Sequence, residues 1–545
     1  MKNWTRIYPW IPFFYHSFLA DRSAAHARLV LPTSILDVSQ ITSGFLSVIY
    51  DKFPSARPQI ANTPALRTTI MGLWTLATDL QPGIYQTPVG PLSFLRESIS
   101  RVVAYCLTSN ATAPIFPAFI TAAGGISVVV DTTLEYLCLL RKEVTASKAE
   151  SSLTHDSWSS YTMDFAHISE ILLVASKREE VAREEFISKG SVHIMASLLT
   201  QLRAKLPEDP DDRTFPRVYE YILYAMLESD DGASVLCEAF AARILETILQ
   251  ASHMKFNYTD DYRRDHESDV VFLSELPHLL MHKKVLYMAA KSLWRVRSQD
   301  IERHAHRDGV LLKAWGNLKD AVARFSQVEK KLCSFEGPTY EFTCGAGQEC
   351  VSRGQTSPDL YRCSGCLTVK YCSRHCQRTD WKKRHRHQCR IIRLAIGKAG
   401  LHDIRRNLLL IAAIETEDRI LEGARLERLV ADARRSNPDY LGELVVELDM
   451  TIYPFTHSVQ ALGRYGDVFT EDYRYEELLL VQKIRSASYN IFEIVKLRYG
   501  NKAHYLLSPS SVLRVIFDWP PVGTIHRLSQ PLFNLNESPG AGSEK

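Results

Sequence analysis

The sequence predicts a mainly α-helical protein in three parts: a long helical N-terminal domain, a small cysteine-rich module and an α+β C-terminal domain. Three observations lead to this fold class. Apolar residues recur at helical spacing from about residue 15 to 330, most cysteines lie between residues 344 and 389, and two stretches after residue 440 alternate between apolar and polar residues. We therefore expect domains over residues 1–330, 331–392 and 393–534, and a disordered tail over 535–545.

The helical N-terminal domain shows related segments. Residues 119–130 and 186–199 share Phe-Ile, a glycine turn and an apolar helix, and residues 230–240 and 306–315 repeat the last part. This pattern resembles armadillo and HEAT repeats, in which one helix packs back across another after a glycine. Gly190 and Gly232 are then equivalent, 42 residues apart. An irregular all-helical domain is the alternative, and both remain open.

One helix of this domain is expected to run without interruption over residues 234–250. Its apolar residues recur three and four positions apart, as on one face of a helix. The residues on that face are Leu236, Phe240, Ile244 and Ile248.

The C-terminal part combines helices and strands. Helices resume after Arg390 and continue to about residue 436, after which apolar residues alternate with polar ones from Leu444 to Ile452. Residues 511–519 alternate too, with a helix expected over about 475–498. We expect a small sheet packed against helices.

Composition limits the possible functions. The 545 residues are 46% hydrophobic and 23% charged with a net charge of +3, which is ordinary for a globular protein and offers no chain-wide case for a nucleic-acid or membrane partner. The longest apolar run, residues 407–414, is far shorter than a membrane span. Prolines interrupt the apolar N-terminal stretch, and clustered thiols belong in a reducing compartment, so we expect an intracellular protein of the nucleus or cytoplasm.

The cysteine-rich module carries eight candidate metal ligands, enough for two tetrahedral zinc ions. Their spacings are typical of zinc sites: Cys363 and Cys366 enclose two residues, and two further pairs are four positions apart, which places both members on one helix face. The eight are Cys344, Cys350, Cys363, Cys366, Cys372, Cys376, His385 and Cys389.

Two other readings of the thiols are weaker. A disulfide framework leaves His385 without a purpose, and a redox C-x2-C motif follows a strand in a βαβ unit that is not legible here. The remaining cysteines, Cys106, Cys138, Cys237 and Cys333, are expected to be small core residues.

A basic run accompanies the ligands. Zinc bound by four thiolates carries a net charge of −2, and cations nearby offset such charge and donate hydrogen bonds to sulfur. We expect that role for Lys382, Lys383, Arg384, Arg386 and Arg390; nuclear import and nucleic-acid binding are less favoured readings.

The whole stretch resembles a MYND-type zinc finger. The resemblance rests on "CSGC", Tyr371, "CSRHCQ", Trp381 and the closing His385 and Cys389. It implies interleaved sites, one of Cys344, Cys350, Cys372 and Cys376 and the other of Cys363, Cys366, His385 and Cys389. Two departures stand out: five residues separate Cys344 from Cys350 instead of two, which leaves Cys333 as a less favoured substitute, and the histidine comes one residue late.

The MYND resemblance also implies a function. Such fingers bind short proline-containing peptides of partner proteins, and the groove positions match Ser364, Gln377 and Trp381. Residues 368–371 are expected to offer a strand edge and Trp381 a ring for proline. We therefore expect a zinc-binding adaptor that is not an enzyme.

Two alternatives to the adaptor are kept. One is a SET-like lysine methyltransferase with a MYND insert, whose cofactor motif and trailing cysteines are missing from the sequence. The other is a nucleic-acid-binding finger in transcription, which would show salt-dependent binding.

Overall fold

The structure, a computed structural model, divides into two compact units. The first consists mainly of residues 1–279 and 284–320 and the second mainly of residues 321–498. The division falls inside one helix, Gly309–Ser334, ahead of residue 330, where the helical domain was expected to end. The described residues are 9, 11–12, 32–53, 57–79, 91–108, 115–147, 155–203, 214–229, 231–251, 267–303, 309–334, 344–346, 349–350, 360–386, 388–390, 402–436, 444–461, 492–499 and 502–507.

The first unit is helical, as predicted. Apolar residues at helical spacing line its interior, and Trp74, Phe165 and Trp315 are among the fully buried side chains. Its helices are α1 (Pro32–Lys52), α2 (Arg57–Asn62), α3 (Pro64–Asp79), α4 (Pro91–Thr108), α5 (Ile115–Ala123), α6 (Ile126–Ser147), α7 (His155–Arg178), α8 (Glu180–Ser188), α9 (Ser191–Arg203), α10 (Thr214–Glu228), α11 (Gly232–Ala241), α12 (Ile244–Ala251), α13 (Glu267–Glu275), α14 (Lys283–Ser298) and the first part of α15 (Gly309–Ser334).

Helices three places apart in this order pack on one another. α1 contacts α4, α4 contacts α7 and α7 contacts α10, while α3, α6, α9 and α12 form a second such row. Stacked three-helix repeats produce this arrangement. The helices of the second row begin 62, 65 and 53 residues apart, so a spacing of 42 residues does not measure the repeat. The armadillo arrangement itself stays a prediction.

Left-handed backbone turns precede three helices of the second row. Gly124 and Gly125 (φ 95° and 124°) precede α6, and Gly190 (φ 76°) precedes α9, as the glycines predicted. Before α12 the turn is made by Arg243 (φ 68°). Gly232 instead opens a helix whose first turn is capped by Asp231. The expected equivalence of Gly190 and Gly232 is therefore wrong.

The uninterrupted helix expected over residues 234–250 is also wrong. The turn at Arg243 divides it into α11 and α12. Its four face residues are nevertheless all buried, with at most 1% exposed. The spacing of the apolar residues predicted their burial correctly. It could not indicate that an arginine between them adopts a left-handed backbone conformation.

The second unit contains the cysteine-rich module, a long helix and a sheet. Its elements are β1 (Tyr361–Arg362), β2 (Lys370–Tyr371), α16 (Arg374–Asp380), the π-helical turn Trp381–His385, α17 (His402–Ser436), β3 (Leu444–Asp449), β4 (Thr456–Ala461), β5 (Phe492–Tyr499) and β6 (Lys502–Leu507). β1 and β2 form a short antiparallel hairpin. The larger sheet has the strand order β4-β3-β5-β6, with β3 antiparallel to β4 and parallel to β5.

The sheet confirms the alternating strand after residue 440 and corrects the element that follows. β5 occupies residues 492–499, where the predicted helix over about 475–498 was to end. Ile494 and Val495 are each 1% exposed, so both faces of β5 are buried at this point, and these two adjacent apolar residues interrupt the alternation that the rest of the strand shows. Residues 511–519 and the tail lie outside the described residues.

Helix α17 packs on the sheet and carries a buried ion-pair network. Leu426 and Val430 contact Val446 of β3. Asp418 lies 2.9 Å from both Arg324 and His457. Burial opposes ionisation of Asp418, but these two partners more than compensate, so its pKa is lowered.

Among the described residues, no single helix is long and apolar enough to cross a membrane. The helices Phe116–Ala123 and Ile126–Ala146 reach such a length and apolar composition only when taken together, and they are bent by 79° relative to each other.

Candidate metal centre

The eight predicted ligands converge into two groups of four. Within each group the ligand atoms all lie within 4.8 Å of one another. The first group is Cys344, Cys350, Cys372 and Cys376, and the second is Cys363, Cys366, His385 and Cys389. The structure therefore has the interleaved arrangement that the resemblance implied.

The distances between ligand atoms fit a tetrahedral metal. A zinc–sulfur bond of about 2.3 Å places two thiolates roughly 3.8 Å apart across a tetrahedron. In the first group the Sγ of Cys372 is 3.5 Å from those of Cys350 and Cys376. In the second, the Sγ atoms of Cys363 and Cys389 are 3.9 Å apart, and Cys366 Sγ is 3.7 Å from His385 Nε2.

A tight turn after the hairpin's first strand positions Cys363 and Cys366. The Cys363 N–H donates to the Val369 carbonyl and its carbonyl accepts from the Leu367 N–H, both at 2.8 Å. Leu367 adopts a left-handed conformation (φ 56°), which reverses the chain. The backbone thus presents two thiols to one point, as in a zinc knuckle.

The start of α16 positions Cys372 and Cys376. Ser373 caps the helix, its Oγ accepting a hydrogen bond from the Cys376 N–H at 3.2 Å. Cys372 therefore stands just before the helix and Cys376 in its first turn, four positions apart, where both reach the first group.

A π-helical turn brings His385 into the second group. The Arg386 N–H donates to the Trp381 carbonyl five residues earlier. A π-turn holds one residue more than an α-turn, so it absorbs the extra residue that makes the histidine late. His385 is fully buried, and the rings of Tyr371 and Trp381 each meet it edge-on with centroids 5.7 Å away.

A buried carboxylate connects the two groups. Asp380, 3% exposed, accepts a hydrogen bond from the Tyr371 hydroxyl at 2.7 Å and one from Arg384 Nε at 2.6 Å. Arg384 also donates to the Gly345 carbonyl. Burial, and then the Asp380 carboxylate, raise the pKa of Tyr371, so the hydroxyl remains a donor. The network joins residues adjacent to Cys344, Cys372 and His385.

The same contacts hold the unusual Cys344–Cys350 segment. The Gly345 N–H donates to the Lys370 carbonyl at 2.7 Å, and Lys383 pairs with Glu349. Lys383 and Arg384 of the basic run thus hold backbone and carboxylate oxygens of this segment, a role that we did not predict for them. The first group is complete without Cys333.

Residues 343–389 match the family described as MYND finger. The chain contains a MYND finger. Comparison of the chain with curated proteins and with solved structures gave no significant match.

The donor chemistry of the MYND finger fits two zinc ions, one held by four cysteines and the other by three cysteines and a histidine. Burial raises the pKa of Cys344 to about 12, so without a cation this thiol stays protonated; bound zinc stabilises the thiolate. The buried Nδ1 of His385 has no hydrogen-bond partner in the described part of the chain.

The predicted peptide-binding residues lie on the finger's surface. Trp381 is 39% exposed, Ser364 is exposed and Gln377 is half-buried. Gln377 and Trp381 are four positions apart on one helix. Their peptide-binding role stays a prediction.

The open strand edge predicted at residues 368–371 is not found, because both sides of this segment are occupied. β2 pairs with β1 on one side, and on the other the Lys370 carbonyl accepts the Gly345 N–H. Thr368, Val369 and Tyr371 are buried. The segment that carries Cys344 takes the position that a peptide strand would need.

The cysteines expected to be core residues behave as such where described. Cys106 and Cys237 are buried and Cys138 is half-buried. Burial raises the pKa of Cys237 to about 11, which makes it a weakly reactive thiol.

Sequence reasoning missed Gly345 and Asp380 as functional residues. Asp380 and Arg384 are an acid and a base four positions apart, a spacing that indicates a helical ion pair. The sequence around Gly345 does not indicate its role, because the side chains that pack against it, Val369 and Tyr371, come more than twenty residues later in the chain.

Proposed function

We propose that the protein is an intracellular, zinc-dependent adaptor whose MYND finger binds a short proline-containing peptide of a partner protein. The proposal rests first on the match of residues 343–389, because MYND fingers generally mediate protein–protein interaction. We further propose that it is not an enzyme, since no cofactor loop or catalytic motif is legible in the sequence.

The observation that carries the peptide proposal is the placement of Trp381. Its ring packs edge-on against His385 on one side and is 39% exposed on the other. A ring supported from behind presents a rigid apolar surface, which is what a proline ring stacks on. Gln377, one helical turn earlier, supplies an amide for the backbone of an extended peptide.

The experiment screens phage-displayed random peptides against the full zinc-loaded chain and measures affinities by fluorescence anisotropy. We expect proline-containing sequences to be enriched. Trp381→Ala should weaken them by about 2 kcal/mol or more, as loss of a buried aromatic anchor does. Tyr361→Ala, which removes another exposed aromatic ring of the finger, is the matched control and should leave binding within about threefold.

Zinc content must be measured in each variant, because Trp381 also contacts a ligand. Cys366→Ser serves as the variant that loses zinc. Unchanged peptide affinity in a Trp381→Ala protein that keeps both zinc ions would refute this groove.

A further inference from the structure

Exposed cations recur at every fourth residue along the last helix of the MYND finger. Arg374, Arg378, Lys382 and Arg386 are all exposed, and none forms an ion pair within the described residues. We call these four residues the basic stripe. Their neighbours Lys383 and Arg384 differ, because they hold Glu349 and Asp380.

The π-turn straightens the stripe. In an α-helix, residues four apart drift by about 40° around the axis, so four such residues would spiral away from one face. Between Trp381 and His385 the helix has more residues per turn, so the step from Lys382 to Arg386 falls short of a full turn and reverses part of that drift. The four cations consequently share one side.

No acidic side chain on this helix balances the stripe. Asp380 is the acid within residues 374–386, and it is buried and occupied by Tyr371 and Arg384. The stripe is thus a row of exposed positive charge that no acidic side chain of this helix pairs with, and an anionic partner fits it.

We infer that the basic stripe binds acidic residues that flank the proline motif in the partner peptide. This inference rests on the proposed function and deepens it. Gln377 and Trp381 form a row about 100° around the helix from the stripe, since each precedes a stripe residue by one position. A peptide seated on Trp381 must cross that angle to reach the cations, so the acidic residues belong beside the prolines and not among them.

The geometry favours a peptide over a nucleic acid. Single-stranded nucleic acid is held by aromatic rings that stack with bases beside the cations. Residues 374–386 contain Trp381 and no other Trp, Tyr or Phe, so successive bases would find one such ring to stack on. Nucleic-acid binding is therefore the competing outcome of the test.

The test measures three synthetic peptides and a single-stranded oligonucleotide on the full zinc-loaded chain. The peptides are a proline peptide with an acidic flank, the same peptide with a neutral flank, and the acidic flank without proline. We expect the acidic flank to tighten binding roughly tenfold at low salt, because four exposed ion pairs each contribute a small factor. The gain should shrink to about twofold or less in 0.5 M salt. It should vanish when all four stripe residues are changed to Gln, with both zinc ions retained.

The matched control removes four exposed cations elsewhere, through Lys313→Gln, Lys330→Gln, Arg428→Gln and Arg434→Gln. It should keep the gain from the acidic flank, because net charge changes equally while the stripe stays intact.

The outcomes separate this inference from the proposed function. Equal affinity for acidic and neutral flanks overturns the inference and leaves the proline groove standing. If the acidic peptide binds through the stripe while proline peptides do not bind, the inference stands and the groove fails. Stripe-dependent binding of a single-stranded oligonucleotide, without any preference for the acidic peptide, overturns the inference in favour of nucleic acid.

Discussion

At the scale of single residues, Gly345 shows how closely the finger is packed beside its first metal group. A Cβ added there would lie 2.4 Å from Val369 Cγ1 and 3.0 Å from Tyr371 Cε1. Both neighbours are buried, so neither has room to retreat. The absence of a side chain lets the Cys344 segment lie directly against β2.

Gly345→Ala should therefore displace Cys344 and weaken the first zinc site selectively. Overpacking of this kind costs about 1–3 kcal/mol. Metal analysis after mild chelation should return about one zinc per chain, against two for the unchanged protein.

Gly423→Ala is the control, because a Cβ at this position in α17 meets nothing within 4 Å. It should keep both zinc ions and gain about 0.5–1 kcal/mol of stability from helix propensity. If Gly345→Ala retained zinc as firmly as this control, the close packing would have no role in metal binding.

At the scale of elements, the helix formed by α16 and the π-turn serves three purposes. Cys376 faces the first metal group, His385 faces the second, and Asp380 lies between them with Tyr371 and Arg384. Because of the π-turn, His385, which comes one residue late in the sequence, still reaches its place in the second metal group.

Deletion of Lys382 tests that explanation. Without the extra residue the turn should become α-helical while His385 keeps its direction, so the protein should retain two zinc ions. Inserting one alanine after Lys382 is the opposite control: the turn already holds its extra residue, so His385 should rotate away and the second zinc should be lost. Metal content that falls on deletion and survives insertion would show that the turn does not act in this way.

At the scale of the whole molecule, the two units depend on different chemistry. The finger of the second unit is too small for a core of its own and relies on its two zinc sites. The first unit is held by buried apolar side chains and contains buried titratable groups, one of which is His167. Zinc removal should act on the second unit, whereas acid should act on both units, through His167 in the first and through Asp418 and the zinc ligands in the second.

His167 makes the stability of the first unit sensitive to acid. Burial, and then the charge of Arg101, lower its pKa to about 3, and Tyr105 meets it edge-on. The folded state therefore binds fewer protons than the unfolded state, whose histidine has a pKa of about 6.5. The stability that neutral His167 contributes is complete above a pH of about 6.5 and falls by up to about 1.4 kcal/mol per pH unit below it.

Urea unfolding of the first unit, followed between pH 7 and 4, checks this expectation. His167→Phe should show a shallower loss of stability with acid, and this slope is the measurement, whatever the variant's stability at pH 7. Burial raises the pKa of Asp164, so this carboxyl group favours the folded state as the pH falls. Asp164 is present in both the unchanged protein and the variant, so its contribution cancels when the two slopes are compared. Identical slopes would mean that His167 takes up its proton in the folded state.

The sequence by itself determined the zinc ligands, the helical class of the first unit and the strand β3. Each has a local signal: fixed spacing of thiols, a helical period of apolar residues, or alternation along a strand with one polar side. These signals depend on near neighbours, so they are legible without the fold.

Only the tertiary structure decided how those parts are joined. It divided residues 234–250 at Arg243, made a strand of residues 492–499 and turned Lys383 toward Glu349 and Arg384 toward the Gly345 carbonyl. In each case the deciding partner lies far away in the chain or the backbone conformation contradicts the residue's own preference. Local pattern carries no information about such contacts, because their energy exists only once distant segments have packed.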